Sequence, residues 1–252
     1  MFIKYGVSKY RIMKINRTEK IKNKKLVIVG AGEFGEIAYE YFTDDSEYEV
    51  VAFAVEKKYR NKDILRNLPI IDFEELENIY PCNQYDVFIA ITYVKLNRER
   101  TRLYNICKKL GYKCASYISS YSFVWKNVEI GENTFIFEDN TIQYNVKIGN
   151  NVILWSGNHV GHRSVINDNC WITSHVVISG FCEIGKNCFV GVNATMGDNI
   201  KISDDVILGA GAVAVKDLEV KAGVYVGNPA RILEDRNSYK QFNVEKSQYE
   251  ME

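Results

Sequence analysis

The chain has 252 residues, enough for one large domain or two modest ones, and its 46% hydrophobic and 25% charged residues are ordinary for a globular protein. Lys plus Arg equals Asp plus Glu at 32 each, so the basic surplus expected of a nucleic-acid binder is missing. No apolar run reaches membrane-spanning length, and the six cysteines include no CxxC pair, so a reduced, cytoplasmic compartment fits best.

Residues 1–24 are rich in Lys and Arg and lack the apolar core of a secretory signal. They read as a poorly ordered extension or part of an interface. Residues 26–29 form a short apolar strand that enters Gly30-Ala31-Gly32-Glu33-Phe34-Gly35, followed by a helix over 36–42. Strands follow at 49–55 and, briefly, at 69–71. Asp72 is placed to cap a helix over 73–79, with Glu75 as its capping-box partner. A buried strand over 86–91, a charged amphipathic helix over 95–110 that stops at Gly111, and a strand over 113–118 complete the alternation. Alternating strand and helix predicts a small parallel α/β sheet.

The glycine-rich loop lies between a strand and a helix, where it lets backbone approach a phosphate and aims helix N-terminal N–H groups at it. It fits a dinucleotide, a nucleotide sugar, or tight strand–helix packing alone. Glu56, at the end of the second strand, is placed to meet a ribose hydroxyl. The stretch between Gly111 and the repeat is too short for a second mononucleotide half, which favours a single nucleotide.

From Ile130 an aliphatic residue or Met recurs every six positions through Leu208, and Ala214, Val220 and Val226 continue the register. That period predicts a coil of three short strands per turn. Four places after each aliphatic lies a small or β-branched residue, a slot that also holds Cys170, Cys182 and Cys188; these read as core side chains. Asn140 and Asn158 share the slot one turn apart, which predicts a stacked asparagine ladder. Glycines such as Gly131, Gly149, Gly161 and Gly185 follow the aliphatic, where a corner is expected.

The histidines are His159, His162 and His175, all within the repeat. Along the column of His162, the next turn holds Gly180 and the previous one Tyr144. A histidine beside a residue without a side chain suggests a base next to an open slot, with N–H groups near Gly180 available to an oxyanion. The alternative is a polar interface histidine. The histidine spacing does not suit a zinc site.

The combination resembles the sialic-acid and bacillosamine acetyltransferase family of NeuD/PglD type over roughly residues 25–233. The stretches that carry the likeness are the loop after Leu26-Val27-Ile28-Val29, Tyr85-Asp86-Val87-Phe88-Ile89-Ala90-Ile91, Glu183-Ile184-Gly185-Lys186-Asn187-Cys188-Phe189-Val190-Gly191, and the closing Val226-Gly227-Asn228-Pro229-Ala230-Arg231. The resemblance implies an α/β plus all-β protein. A Rossmann-like domain over 25–118 precedes a left-handed parallel β-helix over 119–233, with an N-terminal extension over 1–24 and a tail over 234–252. It implies a homotrimer, acetyl-CoA as co-substrate, no metal, and N-acetylation of a nucleotide-linked amino sugar for bacterial surface glycans such as lipopolysaccharide. Sugar O-acetylation, or a non-catalytic trimeric nucleotide-binding scaffold, are the alternatives.

The family's general base falls on His162 and its thioester glycine on Gly180. Gly209, Ala210, Gly227, Asn228 and Pro229 would line the rest of the coenzyme. Gly30, Gly32, Glu33, Phe34, Gly35 and Glu56 would surround the nucleotide sugar, and His159, Arg163 and Trp171 would neighbour the acceptor. The chain departs from the family at Arg163, where an acid usually follows the base, and at Trp171, where a second histidine usually stands. It also departs at Thr92-Tyr93 after the third strand and at Ser119-Ser120 in place of a His-Pro pair.

Overall fold

The computed structural model describes residues 20–249; residues 1–19, most of the basic N-terminal stretch, lie outside the described residues. The first domain is a five-stranded sheet of β1 (Lys24–Val29), β2 (Tyr48–Val55), β3 (Ile64–Leu65), β4 (Leu68–Asp72) and β5 (Asp86–Ile89), ordered β3-β4-β2-β1-β5. All neighbours are parallel except β3, which turns back on β4. One face packs under α1 (Glu33–Asp45), the other under α2 (Leu76–Ile79) and α3 (Arg98–Lys109). Burial on both faces explains why Leu26–Val29 of β1 is an unbroken apolar run.

Local details depart from expectation where side chains find other partners. Helix α1 starts at Glu33, directly in the loop. Asp72 makes no side-chain cap bond, and the residues after it form a single 3-10 turn before α2. Helix α3 begins only at Arg98 because Lys95, Leu96 and Asn97 are all left-handed, with φ of 50°, 48° and 67°. Of residues 113–118, Cys114 bridges to Val87, whereas Tyr117–Ile118 already pairs with Phe135–Ile136 of the second domain.

That second domain is a parallel β-helix with one two-residue strand per face per coil. Thr141 pairs with His159, and Lys147 with Val165. The six-residue period therefore maps onto three sheets, and the aliphatic set from Ile136 to Ala214 forms the interior. Cys170, Cys182 and Cys188 are buried inside, and their Sγ atoms donate to carbonyls of the next coil at 3.0–3.2 Å. Burial pushes the Cys182 and Cys188 thiols up, which makes them poor nucleophiles.

The register ends one coil early. Ile202 bridges to Leu218 and Leu208 pairs with Tyr225, so Val220 and Val226 turn outward, 52% and 37% exposed. Asn140 and Asn158 do not bond to one another; Asn140 donates to the Phe137 carbonyl of its own corner and the Trp155 carbonyl of the next coil, and Asn158 donates to the same Trp155 carbonyl. An asparagine ladder exists in another column, where Asn133 donates to Asn151 at 2.8 Å and Asn151 to Asn169 at 2.9 Å. These three belong to the position that makes each corner, where the backbone is left-handed: Asn133, Asp139, Asn145, Asn151 and Gly157, with Asn187, Asn193, Asn199 and Asp205 further on. Asn and Asp tolerate that conformation better than other side chains. The glycines after the aliphatic positions serve coil stacking instead; a Cβ on Gly131, Gly149, Gly161 or Gly185 would lie within 2.7 Å of the next coil.

The three outward faces differ in chemistry. The first carries Tyr117, Phe135, Ile153 and Trp171, buried against α1 and β5. The second carries Phe123, Thr141, His159, Val177, Thr195 and Val213. The third carries Glu129, Lys147, Val165, Glu183 and Lys201, mostly exposed. A polar seam runs beside the first face, one corner residue per coil. Asn133 accepts from Ile89 N at 2.8 Å, Asn151 from Arg100 Nε at 3.0 Å, and Asp205 forms a buried 2.6 Å ion pair with Arg98. Beyond the last coil, Arg231–Asn237 runs antiparallel to Gly223–Val226 and covers its edge.

Candidate active site

Two sites take shape, at opposite ends of the sequence's expectations. The first is a cavity of about 540 Å³ above the glycine loop, lined by residues 29–34, the end of β2 and the segment after β5. Gly30 has φ of 117°, and a Cβ there would lie 2.7 Å from the Ala90 carbonyl oxygen. A Cβ on Gly35 would lie 2.3 Å from the Gly30 carbonyl oxygen, so the first turn of α1 rests on the loop. Gly32 is different: a Cβ there would meet nothing within 4 Å. Packing explains the outer two glycines, and Gly32 leaves space at the N-terminus of α1, where free N–H groups favour an anion.

The side chains sort accordingly. Glu33 is exposed, and its carboxylate would repel a phosphate, so only its backbone suits the expected role. Phe34 is 3% exposed and meets Phe88, Phe135 and Trp171 edge-on; it is a core residue joining the two domains, not a stacking platform. Glu56 sits at the cavity, but its Oε2 holds Arg102 at 2.7 Å, leaving Oε1 with only Lys58 at 3.9 Å. The far wall holds Thr92, noted in the sequence as a departure from the family, together with Arg60, Lys62, Val94, Glu99 and Arg102, which did not stand out in the sequence. Burial disfavours the Arg102 charge, yet the hydrogen bonds it donates to Glu56 and Glu99 outweigh it and raise its pKa. The run Arg98-Glu99-Arg100-Thr101-Arg102 at a helix start was the available signal.

The second site is the corner after the second face. His162 is exposed and its N–H donates to Gln143 Oε1 at 3.0 Å. The slot above it is filled by the imidazole itself: a Cβ on Gly180 would lie 2.7 Å from His162 Cε1 and 3.0 Å from Nε2. Gly180 therefore lets the ring lie down along the coil, edge-on to Phe181 at 5.0 Å. The Gly180 N–H donates to Asp198 Oδ1 at 2.9 Å, and the Phe181 N–H to the His162 carbonyl at 2.9 Å. The expected oxyanion donors are thus committed to coil stacking.

Arg163 and Phe181 stand in consecutive coils at the left-handed position, with φ of 59° and 58°, a conformation that costs a bulky residue roughly 1–2 kcal/mol. Most other coils place Asn, Asp or Gly there. The Arg163 guanidinium lies 5.6 Å from the Tyr144 ring and 5.9 Å from the Phe181 ring, a cation–π sandwich. Strain of this kind concentrates at functional sites. Gly197, which follows Met196 at the same corner, has no packing reason to be glycine; its nearest would-be contact is 3.7 Å away.

Within one chain the remaining expected residues lie elsewhere. His159 is half-buried on the second face. Trp171 is on the first face, 2% exposed between Phe34, Trp155 and Arg100, on the far side of the coil from His162. Gly209, Ala210, Gly227, Asn228 and Pro229 form the corner between the first and second faces, with a cis Asn228–Pro229 bond. His162 stands at the other edge of the second face.

Comparison with known proteins adds the following. The PglD N-terminal domain family matches residues 25–107, and the bacterial transferase hexapeptide (six repeats) family matches residues 127–162. Among solved structures, the chain is similar to the acetyltransferase domain of PglB from Neisseria gonorrhoeae, at 24% identity over 84% of this chain and 100% of that one, with a TM-score of 0.73. It is similar to PerB from Caulobacter crescentus, solved in complex with CoA and GDP-perosamine, at 24% identity, 83% and 97% coverage and a TM-score of 0.73. WeeI from Acinetobacter baumannii gives 24% identity, 84% and 100% coverage and 0.71. No curated protein matches by sequence.

Proposed function

From a chain that joins a PglD-type N-terminal domain to bacterial transferase hexapeptide repeats, we propose an acetyl-CoA-dependent N-acetyltransferase that modifies a nucleotide-linked amino sugar in the cytoplasm, for bacterial surface glycans. The observation that carries the reading is the pairing in one chain of two features. One is a cavity with an open glycine at a helix N-terminus; the other is an exposed histidine laid over Gly180. The PerB structure, with CoA and GDP-perosamine, supports the substrate class.

The chemistry follows from the site. As the sugar amine attacks the thioester carbonyl carbon, a C–N bond forms and the C–S bond breaks. His162 takes the proton that the amine sheds and returns it to the departing sulfur, which leaves as the thiol. A positioned base of this kind contributes on the order of 10²–10⁴-fold. Arg163, beside the Tyr144 and Phe181 rings, replaces the acid usual at that place and presents a fork of donors to an anionic group of either substrate.

The second face also supports a homotrimer. Val177 and Phe123 are 39% and 54% exposed, beside Trp125 and Tyr144 at 43% and 45%, large apolar side chains of the kind that an interface would cover. His162 and the Gly209–Pro229 corner flank this face. A cyclic arrangement about it sets one edge of each copy against the other edge of its neighbour, which brings base and coenzyme corner together between chains.

Thiol release from acetyl-CoA, measured against a panel of nucleotide-linked 3-amino and 4-amino sugars beside His162→Asn, tests the reading. Turnover with one amino sugar, abolished in the variant, is expected. No turnover with any amino sugar sinks it, and turnover with hydroxyl acceptors alone would make the enzyme an O-acetyltransferase.

A further inference from the structure

The cavity wall opposite the glycine loop comes largely from one segment, which supplies Thr92, Val94, Glu99, Arg102 and Leu103. Within it Lys95, Leu96 and Asn97 are consecutive non-glycine residues in the left-handed conformation, which a chain adopts only when its surroundings enforce it. Leu96 and Asn97 have no exposed surface. Much of what encloses them is the C-terminal strap, residues 231–249.

Leu96 packs with Ile207 and Val224 of the last coils and with Leu233, Tyr239, Phe242 and Val244 of the strap. Phe242 meets Tyr93 at 5.8 Å and Phe189 at 5.6 Å. Lys95 Nζ donates to Glu245 Oε1 at 3.0 Å, and Arg98 Nε to the Gln248 carbonyl at 3.3 Å. The Tyr239 hydroxyl donates to Asp205 Oδ2 at 2.7 Å, on the carboxylate that pairs with Arg98. A last link reaches the cavity itself: Gln248 Nε2 donates to Glu99 Oε1 at 3.4 Å, Glu99 Oε2 holds Arg102 at 3.0 Å, and Arg102 holds Glu56 at 2.7 Å.

We propose that the strap residues Phe242 and Gln248 are positioning residues for the nucleotide site: they hold the 95–97 turn and, through Glu99, set Arg102 at the cavity wall. The inference rests on reading that cavity as the nucleotide-sugar site. Phe242 supplies packing around the turn and Gln248 the directional link. The Lys95–Glu245 pair, largely exposed on the Glu245 side, contributes little.

The test uses the full chain carrying Phe242→Ala with Gln248→Ala, beside Phe242→Leu as the conservative variant. The KM for the nucleotide sugar should rise about tenfold, while kcat at saturation and the KM for acetyl-CoA stay put. Amide exchange over 92–98 should quicken, and Phe242→Leu should restore most of the affinity. An unchanged KM overturns the proposal, and so does a parallel loss of kcat and both affinities with a lower Tm, the mark of a structural role. Binding of UDP, GDP and dTDP to wild type and double variant separates the two readings. If wild type binds none, the nucleotide reading falls. If both bind equally, only the strap proposal falls.

Discussion

The cavity over the glycine loop is closed by a single chain: β1, α1, the end of β2 and the start of α3 all contribute, and its charged wall is braced by Glu56, Glu99 and Arg102. The corner at His162 has the opposite build. Its ring is exposed, its neighbours Tyr144 and Phe181 are 45% and 49% exposed, and the corner N–H groups are already bonded. One region is enclosed and the other open. Under the proposed function, the difference means that the nucleotide sugar would be recognised within a chain, whereas the acetyl transfer would need a second wall from a neighbouring copy.

The largest effect expected to break this contrast is at Gly180. A Cβ there would collide with His162 Cε1 at 2.7 Å, so Gly180→Ala tilts the ring away. A displacement of about 1 Å costs roughly 10²-fold in rate. Thiol-release kinetics should show kcat falling on that scale while calorimetry finds nucleotide affinity unchanged; loss of both would mean the two sites are not separable. Gly35→Ala makes the reciprocal cut. Its Cβ meets backbone at 2.3 Å, an overpacking worth about 1–3 kcal/mol. Nucleotide affinity should drop with the coil still folded, as read by titration and by circular dichroism.

Smaller effects sharpen the distinction between faces. Val177→Asp on the second face should shift sedimentation from trimer toward monomer and lower activity with it. Glu183→Lys on the charged third face should stay within about 0.5 kcal/mol of wild type in denaturant midpoint. A trimer untouched by Val177→Asp would remove the second face from the interface. The smallest effect concerns the junction between domains. Burial would raise Asp45, but the Ser120 N–H, Lys20 and the Tyr117 hydroxyl outweigh it and hold its carboxyl below the ordinary carboxylate range. With the folded pKa lowered, its stabilisation is present above the unfolded value of about 3.9 and lost as pH falls below it. Asp45→Asn should flatten that acid limb of Tm against pH.

The coil was legible because each core position tolerates only an aliphatic side chain, repeated without interruption to Ala214. Past Ala214 the period still reads on paper, yet Leu218 and Tyr225 take the core places, because the last coil has no successor to hold its spacing. The corners were legible in principle through their Asn and Asp residues, which stand two positions after the more conspicuous glycines, as Asn133 after Gly131. The glycine loop and His162 stood out by residue type. The strap and the left-handed turn at 95–97 did not, because what fixes them is contact between residues some 150 positions apart, as for Lys95 with Glu245.

The polar seam has a consequence for how this fold can change length. The rungs of the corner column meet successive residues of the first domain: Asn133 faces Ile89, Asn151 and Asn169 share Arg100, Asn187 faces Asn97, and Asp205, the one carboxylate of the column, pairs with Arg98. Excising one complete coil would leave every hexad intact and every strand in register, yet would bring the wrong rung opposite Arg98 and strand a buried cation. The first domain thus works as a gauge laid along the coil, and the number of turns in this chain is set by the helix that measures them.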